Sequence, residues 1–237
     1  MKKIWLPVLL LIAFGTAGHA QKTINDPNVE VRAAKNFQAI EISNAFDVYL
    51  TQGNEESVAV SASELKYREN IKVDVRDGVL IIRYDNKGKW QTGNKKLRAY
   101  ISFKQLNKLN VSGACDVFIV EQWKAENLKI DLSGASNLRG NISAKKLMID
   151  LSGASDLTLT GNADQLDVEA SGASDFKGYD LAVEYCDAKA SGASDIKVTV
   201  NKELSAQASG ASDVKYKGSG LIRDVKTSGS SSISRRS

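Results

Sequence analysis

Apolar and polar residues alternate in short runs that recur at a fixed interval along the second half of the chain. Each run precedes or follows the motif Ser-Gly-Ala-Ser-Asp or a close variant of it. Five, three and one residues before the motif that begins at Ser152 stand Leu147, Ile149 and Leu151, and five residues after that serine stands Leu157. A period of two places such side chains on one face of a strand. The pattern predicts two strands joined by a corner in each repeat.

The corner motif recurs six times, and a degraded seventh copy follows. The copies begin at Ser112, Ser133, Ser152, Ser171, Ser191, Ser209 and Ser228, at intervals of 18 to 21 residues with a mean of about 19. One such unit cannot bury its apolar face alone, whereas a stack of equivalent units forms a continuous core. The sequence therefore predicts an all-β parallel β-helix, a solenoid of about 19-residue coils, with the right-handed winding usual for parallel crossovers. A β-sandwich is the alternative, although its strands need not share a fixed phase.

A second, looser turn is expected between consecutive repeats, because glycines recur there. These glycines are Gly140, Gly161, Gly178 and Gly218.

The first half of the chain carries the same pattern once and then departs from it. Phe37–Leu50 matches the repeat when it is aligned on Ser43. Asp77-Gly78 lies between two alternating segments, which is a strong signal for a β-hairpin. This insertion is expected to form either a hairpin layer on the stack or extra irregular coils. The expected domain is a single β-helix over 21–237, with an irregular β part at 21–105 and regular repeats at 106–233.

The first twenty residues have the pattern of a secretory signal peptide. Lys2 and Lys3 precede the apolar run Leu6–Phe14, and Gly18-His19-Ala20 offers small residues for cleavage after Ala20. The chain is therefore expected to be exported to the periplasm, the outer surface or the medium. After cleavage no further segment has the length and apolarity of a membrane-spanning helix.

Composition narrows the range of functions. The chain has 32 basic and 28 acidic residues, and the basic residues are not clustered, which argues against nucleic acid as a partner. The only histidine, His19, lies in the signal peptide. The mature chain thus lacks the histidine of Ser-His-Asp and Cys-His catalysis and of the common zinc sites.

The two cysteines are expected to stay unpaired. Cys186 occupies an inward position, and Cys115 lies at a corner about three coils away, roughly 14 Å along the stack. A disulfide requires Cα atoms within about 7 Å of each other.

The recurring aspartate is the strongest candidate for chemistry. It is expected to form a structural corner ladder, in which Asp and Ser accept hydrogen bonds from backbone N–H groups of a corner that Gly allows to turn. The ladder residues singled out are Ser152, Gly153, Asp116, Asp156, Asp175, Asp195 and Asp213, with Asn137 substituting once. Two alternatives remain open: a calcium ladder between adjacent coils, and a carboxylate pair of a polysaccharide-active enzyme.

Aromatic residues supply a second candidate surface. Trp90, Trp123, Tyr179 and Tyr185 fall in predicted turns or strand ends. Such rings stack on sugars in glycan-binding proteins, but packing at coil corners is the simpler interpretation.

The Phe-x-x-Ile start at Phe37, the Asp77-Gly78 hairpin and the Ser-Gly-Ala-Ser-Asp coils together resemble the head GIN domain family of auto-transporter adhesins. The resemblance covers residues 37–233. It implies a β-helix outside the cytoplasm with an adhesion or surface role, and it brings no catalytic or binding residues. The expectation is a non-catalytic binding or structural module of the cell envelope, without a cofactor, whose partner is a protein or a glycan.

Overall fold

The structure is a computed structural model that describes residues 26–86 and 94–236. The expected signal peptide, 1–20, and Trp90 lie outside these residues. Within them, seventeen strands form one continuous sheet, and one short helix, α1, spans Leu65–Arg68.

Nine strands precede residue 120 and eight follow it. The first nine are β1 (Glu30–Arg32), β2 (Ala39–Ile42), β3 (Phe46–Gln52), β4 (Ser57–Ser61), β5 (Ile71–Arg76), β6 (Val79–Tyr84), β7 (Leu97–Phe103), β8 (Lys108–Val111) and β9 (Asp116–Ile119). The remaining strands are β10 (Trp123–Leu132), β11 (Asn137–Leu151), β12 (Asp156–Ala170), β13 (Asp175–Ala190), β14 (Asp195–Gly210), β15 (Asp213–Lys217), β16 (Leu221–Gly229) and β17 (Ser232–Arg235).

The repeats stack in parallel and in register, which confirms the predicted β-solenoid. Consecutive strands from β10 to β14 are parallel neighbours. Residues at the same place in the repeat lie above one another, and those that face inward are buried. One such column, five residues before each corner, consists of Leu128, Leu147, Leu166, Cys186 and Leu204. Burying a leucine or isoleucine fully contributes about 1.5–3 kcal/mol, so these columns supply the driving force of the stack.

The strand that follows each corner builds the second wall of the core. Its column consists of Leu138, Leu157, Phe176, Ile196 and Val214, all buried. The two walls match the two predicted strands of each repeat.

A third inward-facing run lies where a looser turn was expected. Strands β11 to β14 each continue for 15 or 16 residues without a break. The hydrogen-bonded ladder continues through this region but shifts register between Thr158 and Thr160 and between Gly178 and Ala182. The expected looser turn is therefore present as irregularities within continuous strands. The buried residues of the third run are Ile142, Ala144, Ala163, Leu181, Val183 and Val200.

The glycine signal in this region reflects backbone conformation and close packing. Gly161 has φ of +112°, and a Cβ atom there would lie 2.0 Å from the carbonyl oxygen of Ile142 in the coil below.

The N-terminal part contains both structures that its sequence allowed. Strands β2 and β3 pair in parallel with β8 and β9, which confirms an early copy of the repeat. Strands β6 and β7 pair in parallel with the other edges of β2 and β3 and form one more coil. This coil precedes β2 and β3 in the stack, although it follows them in the sequence. Strands β5 and β6 are the predicted hairpin, and β4 and β1 add antiparallel strands beyond β7.

Both cysteines are free, as predicted, and both are buried. Cys186 continues the leucine column, and burial raises the pKa of its thiol well above the usual range. In the part of the chain that the structure describes, no helix has the length and apolarity needed to cross a membrane.

Candidate functional site

The corners stack on one another through their glycines. Gly153 has φ of +75°, and a Cβ atom there would lie 2.5 Å from the carbonyl oxygen of Gly134 in the preceding coil. The same carbonyl oxygen accepts a hydrogen bond of 2.7 Å from the backbone N–H of Ala154. Glycine is thus required twice at this position, for the left-handed conformation and for the close approach of the next coil.

The second serine of the motif supplies the side-chain hydrogen bond to the backbone of the corner. Ser174 is fully buried, and its hydroxyl donates to the carbonyl oxygen of Ser171 at 2.9 Å. Ser136, Ser155, Ser194 and Ser212 make the same bond to the first serine of their own motifs. Cys115 substitutes for this serine in the first motif, with its Sγ atom 3.5 Å from the carbonyl oxygen of Ser112.

The aspartates form the predicted column but do not have the predicted capping role. Asp116, Asn137, Asp156, Asp175, Asp195 and Asp213 follow one another in register. Their carboxylates point outward and bond to side chains, while the corner's polar groups are satisfied by serine and by the neighbouring backbone. The physical reason is the alternation of the strand, which places the motif's serine inside and the next residue outside.

Lysines two residues further along the strand, on the same outward face, offset the repulsion within the aspartate column. The ammonium group of Lys177 lies 2.6 Å from Asp156 and 3.4 Å from Asp175, so it bridges two coils. Lys197 and Lys215 pair with Asp195 and Asp213 at 3.5 and 3.0 Å. Each pair is about one-third exposed or more, and such pairs contribute about 0–1 kcal/mol.

Polar side chains continue the column at both ends. The amide of Asn137 donates to Asp116 at 2.9 Å, and the hydroxyl of Ser232 donates to Asp213 at 2.6 Å. The Ser232 hydroxyl, followed by Lys215, lowers the pKa of the Asp213 carboxyl. Among the residues with described positions, no group of three or more His, Cys, Asp or Glu side chains could hold a metal ion. The calcium alternative therefore gains no support from this geometry.

A different pair of carboxylates lies on the wall before the corner. Asp131 and Asp150 are adjacent in register on β10 and β11. The ammonium group of Lys129 lies 3.1 Å from Asp131 and 2.7 Å from Asp150. Burial and the neighbouring Asp150 raise the pKa of Asp131, although Lys129 opposes both effects. The pair is a half-exposed ionic network that sequence analysis did not single out.

Asp150 also begins a shallow groove along the stack, which we call the axial groove. Polar side chains two residues before each corner and the serines that begin the motifs line this groove. The axial groove has a volume of about 470 Å³ and crosses five coils, a length of roughly 19 Å at the usual strand spacing. Its polar lining consists of Asp150, Glu169, Lys189, Gln207 and Lys226 before the corners and of Ser152, Ser171, Ser191, Ser209 and Ser228 at the start of the motifs. Between these two rows, Leu151, Ala170, Ala190 and Ala208 also line the groove.

Charge changes sign along the axial groove. The acidic Asp150 and Glu169 lie in its first two coils, and the basic Lys189 and Lys226 lie further along. Lys189 is paired with Glu169 at 2.7 Å, at the point where the sign changes. Sequence analysis missed the groove because outward positions carry no apolar period. The signal that marks it is the combination of long side chains before each corner with a repeated serine.

The aromatic candidates do not form a common surface. Trp123 is fully buried, with its ring centroid 5.2 Å from that of Phe103. The ring of Tyr179 is covered by Lys217 at 4.6 Å and Arg236 at 5.2 Å. Tyr185 is 48% exposed, and Lys202 lies over its ring.

A row of aromatic rings on the second wall also escaped sequence analysis. Tyr100, Tyr49 and Phe118 stack across three coils, with centroids 5.2 and 5.3 Å apart. Arg139 lies over the Phe118 ring at 5.4 Å. Because these ring faces contact one another and Arg139, the row stabilises the N-terminal coils and offers mainly its edges to a ligand.

Comparisons with known proteins agree with this geometry. A solved structure of a putative adhesin from Bacteroides fragilis matches with a TM-score of 0.83 and 24% identity, covering 88% of this chain and 96% of that chain. A putative lipid binding protein from Parabacteroides distasonis matches with a TM-score of 0.67 and 19% identity, covering 89% and 97% of the two chains. A putative adhesin from Parabacteroides merdae matches with a TM-score of 0.62 and 19% identity, covering 88% and 95%. At these identities the likeness shows the fold alone.

A comparison with curated proteins finds no match. The family model described as "Putative auto-transporter adhesin, head GIN domain" matches residues 36–220. That match spans most of the chain and includes the corners from Ser112 to Ser209. The chain therefore belongs to the head GIN domain family of putative auto-transporter adhesins.

Proposed function

We propose that this chain is an exported, non-catalytic binding module of the cell envelope, and that the axial groove is its binding surface. The observation that carries the proposal is the groove itself, a channel about 470 Å³ in volume on the outside of five in-register coils. The family description as an adhesin supports a surface role. The predicted signal peptide supports export.

The lining of the groove defines the chemistry of its ligand. Serine hydroxyls recur once per coil and can accept hydrogen bonds, so they suit a polymer that lies along the stack. The hydroxyls of Ser152 and Ser171 already donate to the carbonyl oxygens of Leu132 and Leu151. The carboxylates at one end and the ammonium groups at the other favour a polar ligand with both kinds of group over a strongly charged polymer of one sign. A glycan or an extended peptide of the envelope has this chemistry.

The stack holds this surface in place without a ligand. Each strand of β11 to β14 is hydrogen-bonded to parallel neighbours on both edges, and every corner is bonded to the corner below. A rigid surface loses little conformational entropy on binding, which favours affinity.

A charge reversal inside the groove tests the proposal against a matched reversal outside it. Lys189→Glu replaces the ammonium group that pairs with Glu169 at 2.7 Å, whereas Lys145→Glu replaces one that pairs with Glu126 at 2.8 Å on the same stack. Both lysines are exposed, so both variants should fold. On arrays of envelope glycans and peptides, Lys189→Glu is expected to weaken or redirect binding, and Lys145→Glu to leave it unchanged. Equal effects of the two variants would remove the groove as the binding surface.

Polysaccharide hydrolysis is the second candidate, and the Asp131–Asp150 pair is the observation that favours it. Two carboxylates whose pKa values are driven apart, one raised and one lowered, suit the acid and the base of a glycosidase. Lys129 contacts both carboxylates, which argues for an ion-pair network instead. Shortened glycan products that form with the unmodified chain and disappear in Asp131→Asn would establish the enzyme.

A further inference from the structure

The two ends of the solenoid differ in how the core is closed. At the N-terminal end, the antiparallel strands β1, β4 and β5 and the helix α1 lie beyond the first coils. Their inward residues Val58, Val60, Tyr67 and Ile71 are at most 7% exposed. The N-terminal end of the core is therefore covered.

The C-terminal coil, β16 with β17, leaves the core open. Ile222 continues the column above Leu204, and Val225 continues the column above Ala206. Ile222 is 51% exposed and Val225 is 41% exposed, whereas Leu204 and Ala206 are fully buried. Among the described residues, none covers these core positions of the last coil.

The hydrogen-bonding edge of this coil is open as well. β16 has nine residues and pairs with β14 along one edge. Within residues 26–86 and 94–236, β14 is the strand whose pairing register includes β16, and the other edge of β16 is unpaired. A long strand edge with apolar side chains is a template for pairing with another strand.

We propose that the C-terminal coil is an interaction surface for a second copy of this chain. The two copies meet tail to tail, and their β16 strands pair antiparallel about a two-fold axis at Val225. In this register Asp224 of each copy lies opposite Lys226 of the other, and Val225 lies opposite Val225. The strand is thus complementary to itself in charge, and opposite charges across an antiparallel pair are favourable.

The geometry favours tail-to-tail contact over other arrangements of two copies. Head-to-tail stacking would require an open N-terminal end, and that end is covered. A tail-to-tail contact is closed and isologous, so it yields a dimer without extending into a fibre. The terminal coil of about 19 residues approaches the 20–30 residues a side of stable interfaces.

Neighbouring charges leave the Asp224–Lys226 pairing free to form. Arg223 pairs with Glu203 of its own copy at 3.0 Å, and Arg235 donates to the carbonyl oxygen of Gly218. Asp224 and Lys226 pair with each other at 3.0 Å on the outward face of β16. Both can exchange this exposed contact for the equivalent one across the dimer.

Cysteine cross-linking tests the contact. Residues directly opposite in an antiparallel pair have Cα atoms about 4.5–5.5 Å apart, which is within disulfide range. Val225→Cys in the chain from residue 21 onward is expected to form a covalent dimer under mild oxidation. Val120→Cys is the matched control, because Val120 is 38% exposed and lies away from the terminal coil. The native Cys115 and Cys186 are buried and should not react.

Charge exchange tests the register. Asp224→Lys or Lys226→Asp alone places like charges opposite each other twice and should weaken dimerisation roughly tenfold in sedimentation velocity. The double variant should restore it, and circular dichroism melts should show that all variants fold. A wild-type chain that stays monomeric at micromolar concentration would overturn the proposal. So would cross-linking of Val120→Cys as fast as Val225→Cys, or a double variant that dimerises no better than the single ones.

Discussion

The corner position requires glycine for its positive φ and for its close contact with the next corner. A comparison with the hairpin glycine Gly78 separates these two requirements. Gly153 and Gly78 both have φ of +75°, a conformation that costs a residue with a Cβ atom about 1–2 kcal/mol. Nothing lies within 4 Å of a Cβ atom at Gly78, whereas at Gly153 the carbonyl oxygen of Gly134 lies at 2.5 Å. The difference between the two sites is the steric cost of stacking one corner on the next.

Gly153→Ala is therefore expected to destabilise the protein far more than Gly78→Ala. Gly78→Ala should cost about 1–2 kcal/mol, and Gly153→Ala should cost a further 1–3 kcal/mol or prevent folding. Gly153→Val should be worse still. Urea denaturation followed by circular dichroism measures both. Equal costs at the two sites would mean that the corners are not in contact.

The buried serine of each corner is expected to be replaceable by cysteine but not by alanine. Ser174→Ala leaves the carbonyl oxygen of Ser171 without its hydroxyl partner and should cost about 1–3 kcal/mol. Ser174→Cys should cost less, because Cys115 already occupies the equivalent position of the first motif. If alanine and cysteine destabilise the chain equally in thermal melts, the hydroxyl bond is not what stabilises the corner.

At the scale of elements, a single carboxylate ties the N-terminal segment to the sheet. Asp26 is 8% exposed in its side chain and lies 3.0 Å from the guanidinium of Arg98 on β7. It also accepts hydrogen bonds from the backbone N–H of Asn28 and the hydroxyl of Tyr100. Burial by itself would raise the pKa of Asp26, but its hydrogen bonds and Arg98 lower it. Burial and the Asp26 charge raise the pKa of Tyr100 to about 12.

Asp26→Asn is expected to lower stability by about 1.5–3 kcal/mol at neutral pH. Because the pKa is lower in the folded chain, this stabilisation is complete above the unfolded pKa of about 3.9 and is lost as the pH falls through the folded value. Denaturation curves of the two proteins should therefore begin to converge at about pH 4 and continue to converge as the pH falls through the folded pKa. Asp164→Asn, at an exposed site, is the control and should leave the stability at neutral pH unchanged. A constant difference from pH 7 to pH 3 would contradict the role of the Asp26 charge.

The regular elements could be predicted from the sequence, and the irregular ones only in part. The columns of Leu147 and Leu157 follow from a period of two that recurs every 19 residues or so. The out-of-order coil formed by β6 and β7 could not be predicted, because their partners β2 and β3 are set by tertiary packing and not by a local pattern. The aspartate column was placed correctly, but its bonding partners were not. Lys177 follows Asp175 by two residues, and only the stacked register shows that it also reaches Asp156.

At the scale of the whole molecule, the aspartate column is stabilised by fixed positive charges. Lysines pair with Asp156, Asp175, Asp195 and Asp213 across and within coils. The melting temperature of the chain from residue 21 onward is expected to be the same in calcium and in a chelator. A calcium ion bound only by the folded state would raise it in proportion to the logarithm of the calcium concentration. An increase of that kind, abolished by Asp175→Asn, would restore the calcium ladder.

Binding without turnover is the central claim about this molecule, and one measurement tests it most directly. The chain from residue 21 onward is incubated with the envelope glycans and peptides that it retains on an array. Mass spectrometry then compares each recovered ligand with the ligand before incubation. We expect retention that depends on Lys189 and ligands of unchanged mass. Ligands recovered as shorter fragments, or no retention of any polar polymer, would contradict it.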